Sequence, residues 1–161
     1  MKDEHGEHPF GDSGQVILLV AFLAAWGLDS FVFKWSTMLA ASVPWAVRIP
    51  LAAAVFVFSV LLINASHKVV HEGRDRLLTT GAFRLVRHPL YLGSMLAYLA
   101  LVLLTFSLIS AAFFVGIFCF YNFLALFEER VMVQKFGAEY QQYKSKTGRW
   151  LPRFQRKGEL K

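Results

Sequence analysis

Cysteine is almost missing from this chain. The one thiol, Cys119, lies inside an apolar run, so neither a disulfide framework nor a cysteine zinc site can be built. Charge is scarce as well: charged residues make up 17% of the 161 positions, against about 25% in a soluble domain. Only five histidines occur. His5 and His8 fall in the polar leader, and His67 and His71 stand four apart, able to share a helix face. That is too few for a multihistidine metal cluster, and no metal is expected. The recognition motifs of nucleic-acid-binding proteins are also absent. The net charge of +6 sits in loops and a tail beside apolar segments, where anionic headgroups and membrane orientation account for it. What the chain does have is apolar: 56% hydrophobic residues, 16 of them Phe, and a mean hydropathy of +0.46. This is the composition of an integral membrane protein.

In order, the polar residues 1–14 read as a disordered tail. Val16–Phe33 approaches the roughly 20 residues a spanning helix needs. The acidic tail ahead of it does not suit a secretory signal, which begins basic. Trp26, Lys34 and Trp35 mark its outer end, and Asp29, only about a turn and a half from Lys34, is expected to face the interface. The mixed residues Ser36–Trp45 belong in the headgroup layer, and Ile49–Ala65 forms a second span. Leu90–Phe127 then runs for 38 residues without a formal charge. As one helix it would reach about 57 Å, nearly twice a hydrocarbon core, so it must fold back. Thr105-Phe106-Ser107 is the one polar interruption near its middle, giving spans at about 90–105 and 108–127. Beyond it, 128–161 carries an amphipathic segment, with Met132, Phe136, Tyr140 and Tyr143 at helical spacing and Gly137 as a break. The fold expected is a single all-α membrane domain of four transmembrane helices. It carries a cytosolic loop over 66–89, a cytosolic cofactor pocket and a C-terminal amphipathic helix. Lys68, Arg74, Arg76, Arg84 and Arg87 put that loop, and with four spans both termini, on the cytosolic side.

The chemistry gathers at Arg87-His88-Pro89-Leu90-Tyr91. Pro89 suits the first position of a helix, and the free N–H groups of a helix start favour an anion. In a hairpin of helices the start of one and the end of its partner share a face, which brings His88 and Tyr91 near Glu128 and Glu129. A cationic loop, a helix start, two acids and several aromatics suit a ligand with an ammonium, a carboxylate and an aromatic base. A salt-bridge cluster that only fixes topology is the competing reading.

The run Leu77-Leu-Thr-Thr-Gly-Ala-Phe-Arg-Leu-Val-Arg-His-Pro-Leu-Tyr-Leu-Gly93, then Glu128-Glu129, then Phe136-Gly-Ala-Glu-Tyr-Gln-Gln-Tyr143, then Trp150-Leu-Pro152, resembles the isoprenylcysteine carboxyl methyltransferase and phospholipid methyltransferase superfamily over about residues 60–155. Ala82 departs from a frequent proline. The resemblance implies an integral membrane methyltransferase that uses S-adenosylmethionine and releases S-adenosylhomocysteine. It assigns cofactor binding to His88, Pro89, Tyr91, Phe83, the run matching Asp75–Leu78 with Leu77 and Leu78, Glu128, and His71 as the polar residue ahead of the loop. The cofactor carries the hard chemistry, and the protein aligns the reactants. An amine or thiol acceptor calls for a general base, for which Glu129 and His88 are the candidates. The prenylcysteine branch has an Arg one turn before its acid pair, matched to the substrate. Here Leu124 stands there, with Asn122 nearby on the substrate side. The expected acceptor is lipophilic and reached through the lipid: an isoprenoid-like acid, a phospholipid amine or a small thiol. A membrane scaffold that retains the fold is the non-enzymatic alternative. Membrane sterol reductases are similar in their C-terminal half but are longer and bind NADPH.

Overall fold

A computed structural model describes residues 11–72 and 76–153. Most of the polar leader, with His5 and His8, lies outside these residues, as do Asp75 and the end of the basic tail. The described residues form five α-helices: α1 (Gly11–Gly27), α2 (Trp45–Glu72), α3 (Pro89–Thr105), α4 (Leu108–Phe136) and α5 (Ala138–Lys146). No strand is present among them beyond a single bridge between Val86 and Gly148. Three stretches are long and apolar enough to cross a membrane: Asp12–Phe33, Trp45–Val70 and Leu108–Phe136. The fourth apolar helix, Pro89–Thr105, is shorter.

Several boundaries differ from those read in the sequence. Helix α1 begins at Gly11, inside the stretch expected to be a tail. Helix α2 starts at Trp45 and runs to Glu72, so the expected loop 66–89 begins with a further two turns of helix. Ser66 shows why the helix continues through polar residues: its hydroxyl donates to Leu62 O at 2.7 Å, one turn back. Helix α4 likewise passes through Glu128 without a break and ends at Phe136. Gly137 stops it, with φ +54° and ψ −123°, a conformation open to glycine and strained for any other residue.

Helix α1 passes into a wider π-helical turn, Leu28–Phe33, closed by Lys34 N–H on Asp29 O at 2.8 Å. The widened turn carries the Asp29 side chain inward, where it is 2% exposed. The expectation that Asp29 faces the interface is therefore corrected. Its Oδ2 accepts from Ser36 Oγ at 2.5 Å and Ser107 Oγ at 2.6 Å, and its Oδ1 from Ser36 N–H at 3.1 Å. Hydroxyls and an amide supply what a bare acid among apolar helices would lack.

The chain folds back at Phe106, which takes a left-handed conformation (φ 51°) between α3 and α4. Ser107 then caps α4 by accepting from Ser110 N–H at 3.0 Å. Helices α2 and α3 lie close, antiparallel. A Cβ on Gly93 would come 2.6 Å from Ile63 Cγ1, and Ser59 Oγ donates to Gly93 O at 2.7 Å. Small residues at such a contact let helix backbones approach in lipid. Phe22, Met95, Tyr98, Ile117 and Tyr121 form the centre, where α1, α3 and α4 meet. Phe22 and Tyr98 stand edge to face at 4.9 Å, and Trp26 Nε1 donates to Leu101 O and Thr105 Oγ1, both at 3.1 Å. Val20, Phe58 and Val115 instead point outward. Polar groups inside and apolar side chains outside is the arrangement lipid demands.

Candidate functional site

The end of α2, the start of α3 and the end of α4 lie at one end of the bundle. Pro89 opens α3 and is fully buried. Its preset φ fixes the direction in which His88 and Tyr91 leave the backbone. Two turns before its own end, α4 presents Glu128 and Glu129. The two helix ends meet: the Tyr91 hydroxyl donates to Glu128 Oε1, and His88 Nδ1 lies 3.4 Å from Glu128 Oε2. The rings of His88 and Tyr91 are parallel, 5.8 Å apart.

Glu129 is the hub. Its side chain is 2% exposed, and both oxygens are occupied. Oε1 accepts from Arg87 Nε at 3.1 Å, Arg87 Nη2 at 2.9 Å and Arg149 Nε at 2.8 Å. Oε2 accepts from Arg149 Nη2 at 3.1 Å and faces Lys144 Nζ at 3.0 Å. Three cations on one carboxylate offset the cost of burying it. Arg87 also donates to Lys144 O and Thr147 O. Its charge is thus held inside the protein and not offered to a ligand, as a basic loop would suggest.

The last described residues complete the wall. Gly137 turns the chain into α5, and Thr147 leaves α5 in extended conformation. Arg87 N–H then binds Gly148 O at 2.9 Å. A Cβ on Gly148 would fall 1.9 Å from Leu151 O, so the turn that follows requires glycine. This turn delivers Arg149 to Glu129 and Trp150 to within 5.8 Å of His88. Arg149 Nη1 and Trp150 Nε1 both reach Asn122 Oδ1, at 3.0 and 3.4 Å. Tyr121 adds a ring 5.1 Å from Tyr91, and Phe118 one 6.2 Å from Trp150.

Electrostatics follow this geometry. Burial works against a charged His88, but the carboxylates of Glu128 and Glu129 outweigh it and hold the imidazole above its ordinary range. His88 Nε2 is buried, 3.5 Å from Glu129 Oε1, at charge-pairing distance but without a hydrogen bond. Burial pushes the Tyr143 phenol up to about 12, against the pull of Arg87. It therefore stays neutral and donates to Phe83 O at 2.6 Å. Burial, with Glu129 next, raises Tyr140 as well.

Of the residues singled out in the sequence, the structure brings His88, Pro89, Tyr91, Glu128, Glu129 and Asn122 together. Phe83 lies in a short 3₁₀ turn, Gly81–Arg84, tied to the cluster through Tyr143. Leu77 and Leu78 are half-buried in the irregular segment ahead of that turn. His71 belongs to the last turn of α2, and its side chain lies outside the described residues. Leu124 is buried inside the bundle, 2% exposed. The sequence reading passed over Arg149, Lys144 and Tyr121. A signal for Arg149 was available: it directly precedes the Trp150-Leu-Pro152 motif.

The sequence model of the phospholipid methyltransferase family matches residues 47–139, from the first turn of α2 to the start of α5. Two rice proteins, from Oryza sativa subspecies indica and japonica, are named probable protein-S-isoprenylcysteine O-methyltransferase. Each is 34% identical over 86 residues, covering 53% of this chain and 45% of the relative. Methanethiol S-methyltransferase 1 of Bradyrhizobium diazoefficiens is 36% identical over 77 residues, 48% of this chain and 26% of the relative. The chain spans less than half the length of these curated relatives. The family match covers more than half of the chain and takes in the helix-start motif and the acid pair together, and the chain therefore belongs to the phospholipid methyltransferase family, a family of membrane methyltransferases.

Proposed function

We propose that this chain transfers a methyl group from S-adenosylmethionine to a lipophilic acceptor, at the end of the bundle where α3 begins and α4 ends. In this reading all four of α1–α4 cross the membrane, Pro89–Thr105 with the help of its polar ends, and the basic loop puts the site and both termini on the cytosolic side. One observation carries the proposal. Glu128, 19% exposed, is the acid of the cluster not enclosed by arginine or lysine: among the described residues it meets a phenol and an imidazole, both on the first turn of α3 or just before it.

The residues fit a sulfonium cofactor. Glu128 suits the methionine ammonium, which would find a carboxylate already deprived of water. The N–H groups at the start of α3 suit the methionine carboxylate. Tyr91, Tyr121, Trp150 and Phe118 form an aromatic wall suited to adenine. His88 Nε2, a buried nitrogen with no hydrogen bond, is a polar atom that a ligand would satisfy. When bound, the cofactor supplies an electrophilic methyl carbon; the methyl–sulfur bond breaks as the acceptor's lone pair forms the new one.

The chain's own contribution is alignment and proton handling. The role of general base, open in the sequence between Glu129 and His88, falls to His88. Glu129 cannot take a proton without leaving Arg87, Arg149 and Lys144 uncompensated. A carboxylate acceptor needs no base, whereas a thiol or ammonium would give its proton to His88 in its neutral form, at pH above its raised pKa. Asn122 and Arg149 line the acceptor side. Two N–H groups of the Arg149 guanidinium remain beyond those bonded to Glu129 and Asn122, which favours an acceptor with an anionic or carbonyl group. The resemblance to protein-S-isoprenylcysteine O-methyltransferase fits that preference, and phospholipid amines and small thiols are the other acceptor classes.

Titration of purified protein in detergent with S-adenosylhomocysteine tests the reading. Wild type is expected to bind at micromolar levels. Glu128→Gln should weaken binding by about 10–100-fold, the worth of a charge-assisted contact, with its unfolding temperature close to wild type. No binding by a folded wild-type protein would overturn the proposal. Methyl transfer from radiolabelled S-adenosylmethionine into a total lipid and thiol extract then identifies the acceptor.

A further inference from the structure

The end of the bundle away from Glu128 holds an arginine with no acidic partner among the described residues. Arg48 lies in the first turn of α2 and is 5% exposed. Its Nε is buried with no hydrogen bond, and its guanidinium makes no ion pair with any described residue. Its one recorded contact is the Trp45 ring, whose centroid lies 3.8 Å from Cζ. A guanidinium does not discharge by losing its proton, and a buried cation without a counter-charge is unfavourable. Stacking on Trp45 offsets part of that cost but leaves Nε without a hydrogen bond.

The described residues do not supply the missing charge. Among the described residues Asp29 is the only acid at this end. Its carboxylate is taken by Ser36 and Ser107, which the α3–α4 turn requires. The exposed Lys34 adds a second positive charge nearby in the sequence. The start of α2 contributes positive potential as well. Val47 and Arg48 N–H groups both turn onto Pro44 O, and the macrodipole of a 28-residue helix opens there. Trp35 and Trp45, both more than half exposed, are the kind of ring that sits at headgroup depth. A guanidinium and a helix start suit an oxyanion, and at headgroup depth the oxyanion at hand is a lipid phosphate.

We infer that Arg48 and the first turn of α2 hold a phosphate group, that of a phospholipid in the leaflet opposite the Glu128–Glu129 end. The site is separate from the methyl-transfer reading and stands whether or not that reading holds. A lipid bound here pins the start of α2, the helix that packs along α3, and supplies the counter-charge the fold lacks.

The test uses the full chain purified in neutral detergent, with phosphatidylglycerol as probe and native mass spectrometry as readout. Wild type is expected to retain one tightly held phosphatidylglycerol. Arg48→Gln should bind it at least about tenfold more weakly, losing a charge-assisted fork, while Lys34→Gln, at the exposed cation of the same end, should retain it. Excess inorganic phosphate distinguishes the source: displacement of the lipid assigns the site to free phosphate, and retention assigns it to the headgroup. Equal phosphatidylglycerol affinity in wild type and Arg48→Gln overturns the inference. Should Arg48→Gln fail to fold, wild type alone decides. Phosphatidylglycerol must raise its unfolding temperature and diacylglycerol, with the same tails and no phosphate, must not; equal shifts overturn the inference.

Discussion

The two ends of the bundle each bury a carboxylate to the same degree, Glu129 at one and Asp29 at the other, and they satisfy it by opposite means. Glu129 is held by three full positive charges drawn from the α3 lead-in, α5 and the C-terminal turn. Asp29 is held by neutral hydroxyls and one amide, from Ser36 and Ser107. At the first end the cations Arg87, Lys144 and Arg149 are consumed by the hub, so an acid, Glu128, is left with a phenol and an imidazole among the described residues. At the other the acid is consumed by serines, so a cation, Arg48, is left over. Each buried carboxylate fastens helices together, and the group beside it, incompletely paired, sets what that end can bind. In a fold with so few charges, a surplus of one sign at one end is enough to define a ligand.

The largest expected effect comes from removing the hub. Glu129→Gln leaves Arg87, Arg149 and Lys144 around a neutral amide. It should lower stability by about 3–5 kcal/mol, as for other broken buried charge pairs, and abolish methyl transfer; thermal unfolding in detergent and the radiolabel assay read both. A stability loss below about 1 kcal/mol would show that Glu129 is not the fastener. The matching change at the other end, Asp29→Ala, should cost only about 1–2 kcal/mol. The hydroxyls it leaves, Ser36 Oγ and Ser107 Oγ, already stand 3.4 Å apart and can bond each other. Cofactor affinity should be unchanged, and equal losses for the two variants would erase the contrast between the ends.

The smallest effect is a pH dependence confined to the site end. His88 has its folded-state pKa raised above the ordinary 6.5 because Glu128 and Glu129 outweigh its burial. Its protonated form therefore contributes stability that is complete below about 6.5 and is lost as pH rises through the folded value. Unfolding temperature should fall as pH rises above about 6.5 in wild type and less so in His88→Gln, while Asp29→Ala keeps the wild-type slope. A His88→Gln slope equal to wild type would show that the imidazole is neutral in the folded protein.

Much of this was legible before any coordinates. A 38-residue uncharged run has to turn back in a bilayer, and Phe106-Ser107 is where it does. Pro89 sits at a helix start because its preset φ and missing N–H cost least in a first turn, and Gly137 ends α4 because its backbone conformation is open to glycine. The meeting of His88 and Tyr91 with Glu128 and Glu129 follows once the run between them is a hairpin. Other features were not legible. Asp29 was read as facing the interface because linear spacing put it near Lys34, and a π-helical turn rotated it inward. Glu129 was read as a possible base because sequence cannot count the cations around a carboxylate. Arg149 was overlooked because its position depends on the Gly148 turn pairing with Val86, a contact between segments 62 residues apart.

By itself the sequence determined that this is a membrane protein of apolar helices, where the chain reverses, and which motif residues lie at one face. These depend on hydropathy, length and local backbone preference, each a property of neighbouring residues. Only the tertiary structure decided which charges neutralise one another and which remain for a ligand. Charge pairing is settled by distance in space, over a few ångströms, between side chains that the chain order keeps far apart.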